Sequence, residues 1–106
     1  REPDGLAMSS RNAYLTPLQR RQAPAIFQAL QEARALIRAG ERSVTRLQRR
    51  LRAKMRRQPL VRVQDIAIVD AVTLQPQARL AGRVAILVAA RVGSTRLIDN
   101  LLVDVP

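Results

Sequence analysis

The residues best suited to chemistry stand close together near the start of the sequence. The stretch GLAMSSRNAYL, residues 5–15, places two hydroxyls, a guanidinium and a carboxamide in consecutive positions, at Ser9, Ser10, Arg11 and Asn12. A guanidinium donates two parallel hydrogen bonds to phosphate oxygens, and serine hydroxyls add short-range donors. Such donors would stabilise negative charge that develops on a phosphate during a reaction. Because serine and asparagine also favour turns, a plain capping loop is the alternative interpretation.

The composition excludes several other kinds of site. The 106 residues include no cysteine and no histidine, which removes disulfides, the usual zinc sites and a histidine general base. Lys and Arg number 19 against 8 Asp and Glu, and the resulting net charge of +11 attracts nucleic acid, acidic lipid and nucleotide phosphates alike. No apolar run approaches the roughly 18 residues of a membrane span. We expect a single soluble domain without membrane association and, because the chain starts at Arg1 in an apparent loop, one excised from a longer protein.

Residues 1–15 are predicted to form a loop, with a turn signal at Pro3, Asp4 and Gly5. This loop must hold the polar stretch in front of a helix. The helix is predicted to begin at Thr16 and to stop at Gly40. Pro24 lacks the amide that would continue the hydrogen-bond ladder, so a kink or short break is expected near residues 20–24. The signals for the helix start are an N-cap, a proline at the first position and a capping box, supplied by Thr16, Pro17 and Gln19.

A second helix is predicted between Ser43, a good N-cap, and Pro59, because the residue before a proline avoids helical geometry. Its buried edge is expected to comprise Val44, Leu47, Leu51 and Met55. The rest of its surface is strongly basic, through Arg46, Arg49, Arg50, Arg52, Lys54, Arg56 and Arg57. This basic surface is interpreted either as a solvated helix face or as a surface that faces an anion.

Three strand-like runs follow, LVRVQDIAIVD, RVAILVAARV and RLIDNLLVDV. A phase shift in the first run indicates a bulge near Gln64 and Asp65. The tripeptide GST between the other two runs predicts a hairpin loop, with Gly93 in a special backbone conformation. The predicted fold is therefore α+β, with two main helices packed on a small, mainly antiparallel three-stranded sheet.

Two stretches resemble the signatures of a known family. REPDGLAMSSRNAYLTPLQR at the start and ARVGSTRLIDN near the end are similar to the C-terminal domain of the pantoate beta-alanine ligases, also called pantothenate synthetases. The similarity extends over essentially the whole chain, because the spacing between the two stretches also fits. It implies a single lid domain, residues 1–106, whose Rossmann-like N-terminal catalytic domain is absent from this chain.

The resemblance also implies a chemistry. The family activates pantoate with ATP as a pantoyl adenylate, which the amine of beta-alanine attacks to give pantothenate and AMP; magnesium accompanies the ATP. Met8, Ser9, Ser10 and Arg11 correspond to the ATP-contacting loop, the counterpart of the KMSKS loop of class I aminoacyl-tRNA synthetases. No catalytic residue and no metal ligand is assigned within the chain. The full-length protein is expected to be a cytoplasmic ligase of the coenzyme A pathway and a homodimer through the missing domain, and the fragment alone to be inactive.

One further stretch allows two interpretations, and three single residues carry one expectation each. GSTRLIDN is interpreted as a hairpin with an ion pair between Arg96 and Asp99, or as polar residues that dock the domain on the catalytic half. Phe27 is expected in the core, and Tyr14 is expected to anchor the loop. The glycine at position 5 is expected to let the loop close over a nucleotide.

Two functions compete with the ligase fragment. The arginine-rich second helix favours a basic nucleic-acid-binding module, although two aromatic residues are too few for recognition of single strands by stacking. The basic helix would alternatively bind an acidic partner or a fused domain, such as the cytidylate kinase found fused to some relatives. No specific nucleic-acid partner is predicted.

Overall fold

The computed structural model describes all residues, 1–106, and contains helices followed by a sheet. The helices are a short 3-10 helix, Ser10–Tyr14, and three α-helices, α1 Pro17–Gln22, α2 Ala25–Arg38 and α3 Val44–Arg56. The strands are β1 Val61–Asp70, β2 Arg83–Val92 and β3 Thr95–Asp104. Helices α2 and α3 pack on one another and on one face of the sheet. The prediction of an α+β fold with two main helices on a three-stranded sheet is confirmed.

The ends of the helices follow the predicted signals. Thr16 accepts a hydrogen bond from the Gln19 amide, and the Gln19 side chain accepts one from the Thr16 amide, which completes the capping box. The expected break occurs at Pro24, which separates α1 from α2. Ser43 caps α3 by accepting from the amide of Arg46. The backbone polar groups at these helix starts therefore have partners that the sequence itself supplies.

The sheet is fully antiparallel, in the order β1-β2-β3. The predicted bulge lies between Val63 and Asp65, where the pairing of β1 with β2 shifts by one residue. The hairpin between β2 and β3 is tighter than expected, because Val92 already pairs with Thr95. Its loop is therefore the two residues Gly93 and Ser94, and the φ of +63° at Gly93 suits the first position of a type II′ turn.

The core lies between the helical layer and the inner face of the sheet. Its largest fully buried side chains are Ile26, Leu30 and Ile37 of α2, Leu47, Leu51 and Met55 of α3, and Val84, Ile86, Val92 and Val103 of the sheet. The predicted buried edge of α3 is thus confirmed, with Val44 half-buried beside it. The outer face of the sheet, by contrast, leaves Ile98 and Leu102 exposed.

Residues 1–15 are more regular than the predicted loop. Ser9 is extended and caps the 3-10 helix that starts at Ser10, because its hydroxyl accepts from the amide of Arg11. The short polar side chains that favour turns here close one helical turn instead.

None of the helices combines the length and the apolar character needed to cross a membrane.

Candidate functional site

The N-terminal segment is fastened to the rest of the domain by Arg1. Its guanidinium donates to both carboxylate oxygens of Asp99 on β3, at 2.7 Å and 2.9 Å, and to the carbonyl of Gly5 at 3.0 Å. The same guanidinium lies over the ring of Phe27, 4.0 Å from its centroid. The segment that precedes the polar stretch is therefore held against β3 and α2.

Gly5 has a structural role different from the expected hinge. It is buried, has a φ of +93°, and its amide donates to the carbonyl of Glu2 in a tight turn. A Cβ at this position would collide with the ring of Phe27. Phe27 itself is half-buried and packs against this turn, so the prediction that it lies in the central core is wrong.

A second ion pair supports the same turn from α1. Arg20 donates to the carboxylate of Asp4 at 2.7 Å and 3.2 Å. This hydrogen bond holds the pKa of Asp4 below its ordinary value of 3.8, since the charged carboxylate is the better acceptor. The side chain of Asp4 is about half exposed, so the pair orients the turn more than it stabilises the fold.

The four predicted loop residues all lie on the surface. Met8 is 70% exposed, and Ser9, Ser10 and Arg11 are exposed as well. Ser9 uses its oxygen as an acceptor for the Arg11 amide at 3.2 Å, which leaves its hydroxyl proton free to donate. Arg11 makes one long bond, from Nη1 to the carbonyl of Arg96 at 3.4 Å, so most of its donors are free.

Asn12, next to these residues, closes the loop from inside. Its Nδ2 donates to the carbonyl of Ala7 at 3.0 Å. Its Oδ1 is buried and accepts no hydrogen bond from the chain. The stretch between Ala7 and Asn12 is therefore a compact, side-chain-closed turn that presents Ser9, Ser10 and Arg11 outwards.

Two adjoining depressions surround Arg11. One, of about 330 Å³, is lined by Ala7, Met8, Ser9, Arg11, Arg96, Leu97 and Ile98. The other, of about 510 Å³, is lined by Arg11, Tyr14, Arg91, Ser94, Thr95 and Arg96. Met8, Ser9 and Arg11 thus share one concave surface, whereas Ser10 lies outside both linings. The cations and hydroxyls gathered here suit a multiply charged anion.

Sequence reasoning missed the hairpin arginines, Arg91 and Arg96, which share the second depression with Arg11. A signal for one part of this arrangement was present, because a hairpin predicted around Gly93 brings both residues to the same turn. The two-residue loop found in the structure then pairs them directly. Their proximity to Arg11 depends on how the N-terminal segment packs along β3, which no local pattern encodes.

Two expectations for this region are wrong. Arg96 and Asp99 do not form an ion pair, because residues three apart on a strand point to opposite faces. Arg96 is exposed on the outer face, where its Nε donates to Oε1 of Gln64 at 3.1 Å. Asp99 is only 8% exposed on the inner face and pairs with Arg1. Tyr14 is 77% exposed and anchors nothing within the chain.

The basic surface of α3 is partly neutralised by acidic neighbours. Arg50 and Lys54 lie 3.0 Å and 3.9 Å from the carboxylate of Glu32, and Arg46 lies 3.9 Å from that of Glu41. These contacts join α3 to α2 and to the turn that follows α2. They support the interpretation of this flank as a solvated, ion-paired helix face.

The comparisons with known proteins identify the family. The sequence model of the pantoate-beta-alanine ligases matches residues 1–102, and the chain belongs to this family. It is 55% identical to pantothenate synthetase from Rubrobacter xylanophilus over 94% of its length and 48% identical to the enzyme from Moorella thermoacetica over 99%. These matches cover 35% and 37% of the two relatives, so the chain spans about a third of their length.

Solved structures of the family share the fold. Pantothenate synthetase from Thermus thermophilus superposes with a TM-score of 0.87 at 40% identity, over 95% of this chain and 36% of that one. Pantoate-beta-alanine ligase from Francisella tularensis, solved in complex with beta-gamma ATP and beta-alanine, gives a TM-score of 0.55 at 26% identity, over 96% of this chain and 30% of that one. The α+β architecture is therefore that of one part of these ligases.

Proposed function

We propose that the chain is the C-terminal lid domain of an ATP-dependent ligase that joins pantoate to beta-alanine, and that its loop Met8–Arg11 binds the phosphates of ATP. The observation that carries this proposal is the position of Arg11, whose guanidinium lies exposed between two adjoining depressions with most of its donors free. Ser9 beside it keeps a free hydroxyl proton. Family membership and the nucleotide bound to the Francisella relative support the choice of ATP.

The proposed chemistry of the loop follows from where charge moves. When the carboxylate oxygen of pantoate attacks the α-phosphorus, the bond from that phosphorus to the bridging oxygen breaks, and the electron pair leaves with pyrophosphate. A positioned guanidinium and hydroxyl stabilise this growing charge more strongly than they stabilise bound ATP, which lowers the barrier. The amine of beta-alanine then displaces AMP from the pantoyl adenylate. A lid also keeps water away from the adenylate.

Magnesium would arrive as part of the substrate. The chain has no group of three or more His, Cys, Asp or Glu side chains able to hold a metal ion. The donors around the depressions are cations and hydroxyls, which do not match the oxygen ligands that magnesium prefers. In this proposal the ion is coordinated by the ATP phosphates and by residues outside this chain.

The remaining two-thirds of the ligase would be a Rossmann-like N-terminal catalytic domain that binds pantoate and forms a homodimer in the cytoplasm. The 106-residue chain alone is then inactive. Incubation of the chain with pantoate, ATP and beta-alanine should yield no pantothenate, and turnover at an ordinary enzymatic rate would contradict the proposal. A fusion to a cytidylate kinase or another domain stays a prediction.

The decisive experiment is Arg11→Ala in the full-length ligase. The rate of pantoate-dependent exchange between pyrophosphate and ATP should fall by about 100-fold, as is typical when a donor to developing charge is lost. The matched control is Arg38→Ala, which removes an exposed arginine from α2 and should change the rate by less than about twofold. Unchanged exchange in Arg11→Ala would remove Arg11 from the mechanism.

A further inference from the structure

Three arginines form a row across the outer face of the sheet, at the hairpin end. Arg62 of β1 pairs directly with Arg91 of β2, and Arg91 pairs directly with Arg96 of β3. All three are exposed. Since neighbouring strands lie about 4.8 Å apart, the row extends over roughly 10 Å. The three cations therefore stand side by side on one surface.

This arginine row is unfavourable for the fold by itself. Like charges directly opposite one another destabilise a sheet, whereas opposite charges in such positions stabilise it. None of the three arginines forms an ion pair, because the ion pairs of the chain all lie elsewhere. Local choices that oppose the stability of the fold are expected at functional sites.

Two of the three side chains of the row are also held in place. Arg91 donates from Nη1 to the carbonyl of Ser94 in the hairpin at 3.1 Å, and Arg96 donates from Nε to Gln64 at 3.1 Å. Each bond uses one of the donors of a guanidinium and leaves the others free. Arg11 reaches the same place from the loop, through its bond to the carbonyl of Arg96. Arg91 and Arg96 are thus oriented before any ligand arrives, which lowers the entropic cost of binding.

We infer that Arg91 and Arg96, flanked by Arg62 and adjoining Arg11, form a binding site for condensed phosphate, either free pyrophosphate or the polyphosphate tail of a nucleotide. The inference rests on the proposed function only in that Arg11 is shared with the ATP loop. Adjacent phosphate groups carry several negative charges within a few ångströms, and guanidinium forks match their oxygens in pairs. The depression of about 510 Å³ offers space for such an anion, and the exposed residues Ser94 and Tyr14 in its lining carry further hydroxyls.

The test is calorimetric titration of the chain with pyrophosphate, tripolyphosphate and ATP at one fixed ionic strength. Arg91→Gln and Arg96→Gln should each weaken pyrophosphate binding by about tenfold, the usual effect of losing hydrogen bonds to a charged group. Arg38→Gln, with the same change of net charge on α2, should weaken it by less than about twofold. Circular dichroism verifies that each variant keeps the fold. Equal weakening by all three variants would show attraction to net charge alone and would overturn the inference.

Further measurements distinguish free pyrophosphate from the phosphate tail of a nucleotide. They also distinguish the arginine site from the ATP loop and from a nucleic-acid groove. If ATP displaces pyrophosphate, and if Arg91→Gln and Arg96→Gln also weaken ATP binding, the site holds the phosphate tail of the nucleotide. If pyrophosphate binds and ATP does not compete with it, the site holds free pyrophosphate. Because Arg11 is shared, the residues outside the loop separate the two proposals. Loss of pyrophosphate–ATP exchange in Arg11→Ala, together with unchanged pyrophosphate binding in Arg91→Gln and Arg96→Gln, would retain the ATP loop and overturn the inference. Arg52 lines a neighbouring depression together with Arg62. If a single-stranded oligonucleotide bound more tightly than tripolyphosphate, and if its binding depended equally on Arg52, the surface would be a nucleic-acid groove and the inference would be overturned.

Discussion

Arg1 and Asp99 stand 98 positions apart in the sequence, yet their side chains form a two-pronged ion pair with bonds of 2.7 Å and 2.9 Å. The carboxylate is almost fully buried, whereas the guanidinium side chain is 30% exposed. This contact joins the N-terminal segment, which precedes the polar loop, to β3, the strand that carries Arg96. The loop and the hairpin therefore share one support.

Loss of this ion pair should loosen the loop. Asp99→Asn keeps the shape of the side chain but removes its charge, and we expect a loss of about 1–2 kcal/mol in the free energy of unfolding. Chemical denaturation measures this loss, and hydrogen exchange should accelerate at the amides of Glu2 and Gly5. Asp104→Asn is the control, because Asp104 is exposed and its pair with Arg83 is longer, at 3.5 Å. Equal effects of the two substitutions would contradict a special role for Asp99.

Two glycines with similar backbone angles should differ in their tolerance of alanine. Gly93 has a φ of +63° and Gly82 a φ of +70°, so alanine strains both. A Cβ at Gly93 would also collide with the Gln19 carboxamide and displace it from the capping box, whereas Gly82 faces open space. We expect Gly93→Ala to cost about 1 kcal/mol more than Gly82→Ala in denaturant unfolding. Equal costs would show that Gln19 moves aside while the cap stays intact.

Relief of the arginine row should stabilise the domain. Arg91→Thr replaces the central cation with a good strand former and should raise the free energy of unfolding by about 0.5 kcal/mol at low salt, with a smaller gain at high salt. The control is Arg83→Thr on the same strand and face, because Arg83 pairs directly with Asp104 instead of a like charge. Arg83→Thr should give no gain. A loss of stability in Arg91→Thr would contradict the unfavourable character of the row.

The stability of the domain should decrease in acid through two carboxylates. Hydrogen bonds from Arg20 lower the pKa of Asp4, and those from the amides of Thr73 and Val72 lower the pKa of Asp70, both from an ordinary value of 3.8. A lowered folded pKa means that the unfolded chain binds more protons. This stability is present above about pH 4 and is lost as the pH falls through the folded values.

Thermal unfolding followed from neutral to strongly acidic pH tests this dependence. The double variant Asp4→Asn and Asp70→Asn should show a shallower decrease of the melting temperature below about pH 4 than the parent chain. The difference in melting temperature between the parent and the variant should be small, because both carboxylates are in contact with solvent. Parallel curves over the whole range would contradict the assignment of these two groups.

Local patterns predicted the elements of the fold well, because each signal acts between residues close in sequence. The cap at Thr16, the break at Pro24 and the cap at Ser43 involve partners within a few positions. The bulge beside Asp65 is equally local, since one extra residue shifts the alternation of a single strand. The 3-10 helix was missed because Ser and Asn support turns and short helices equally well.

The candidate site likewise has features that residue types predicted and contacts that depend on the tertiary fold. Ser9, Ser10 and Arg11 were selected from their chemical types and family resemblance, and the structure places them on the surface without testing their role. The false ion pair between Arg96 and Asp99 arose from nearness in sequence, whereas a strand sends these side chains to opposite faces. The partner of Asp99 was unpredictable from spacing because it comes from the other end of the chain.

The sequence by itself determined the family, the class of fold and the chemical character of the N-terminal loop, since these depend on residue types, short spacings and periodic burial. Only the tertiary structure decided that Arg62, Arg91 and Arg96 stand in one row beside Arg11. The reason is physical: strand register and the docking of the N-terminal segment follow from the packing of the whole core. Charges far apart along the chain therefore become neighbours only when that core has formed.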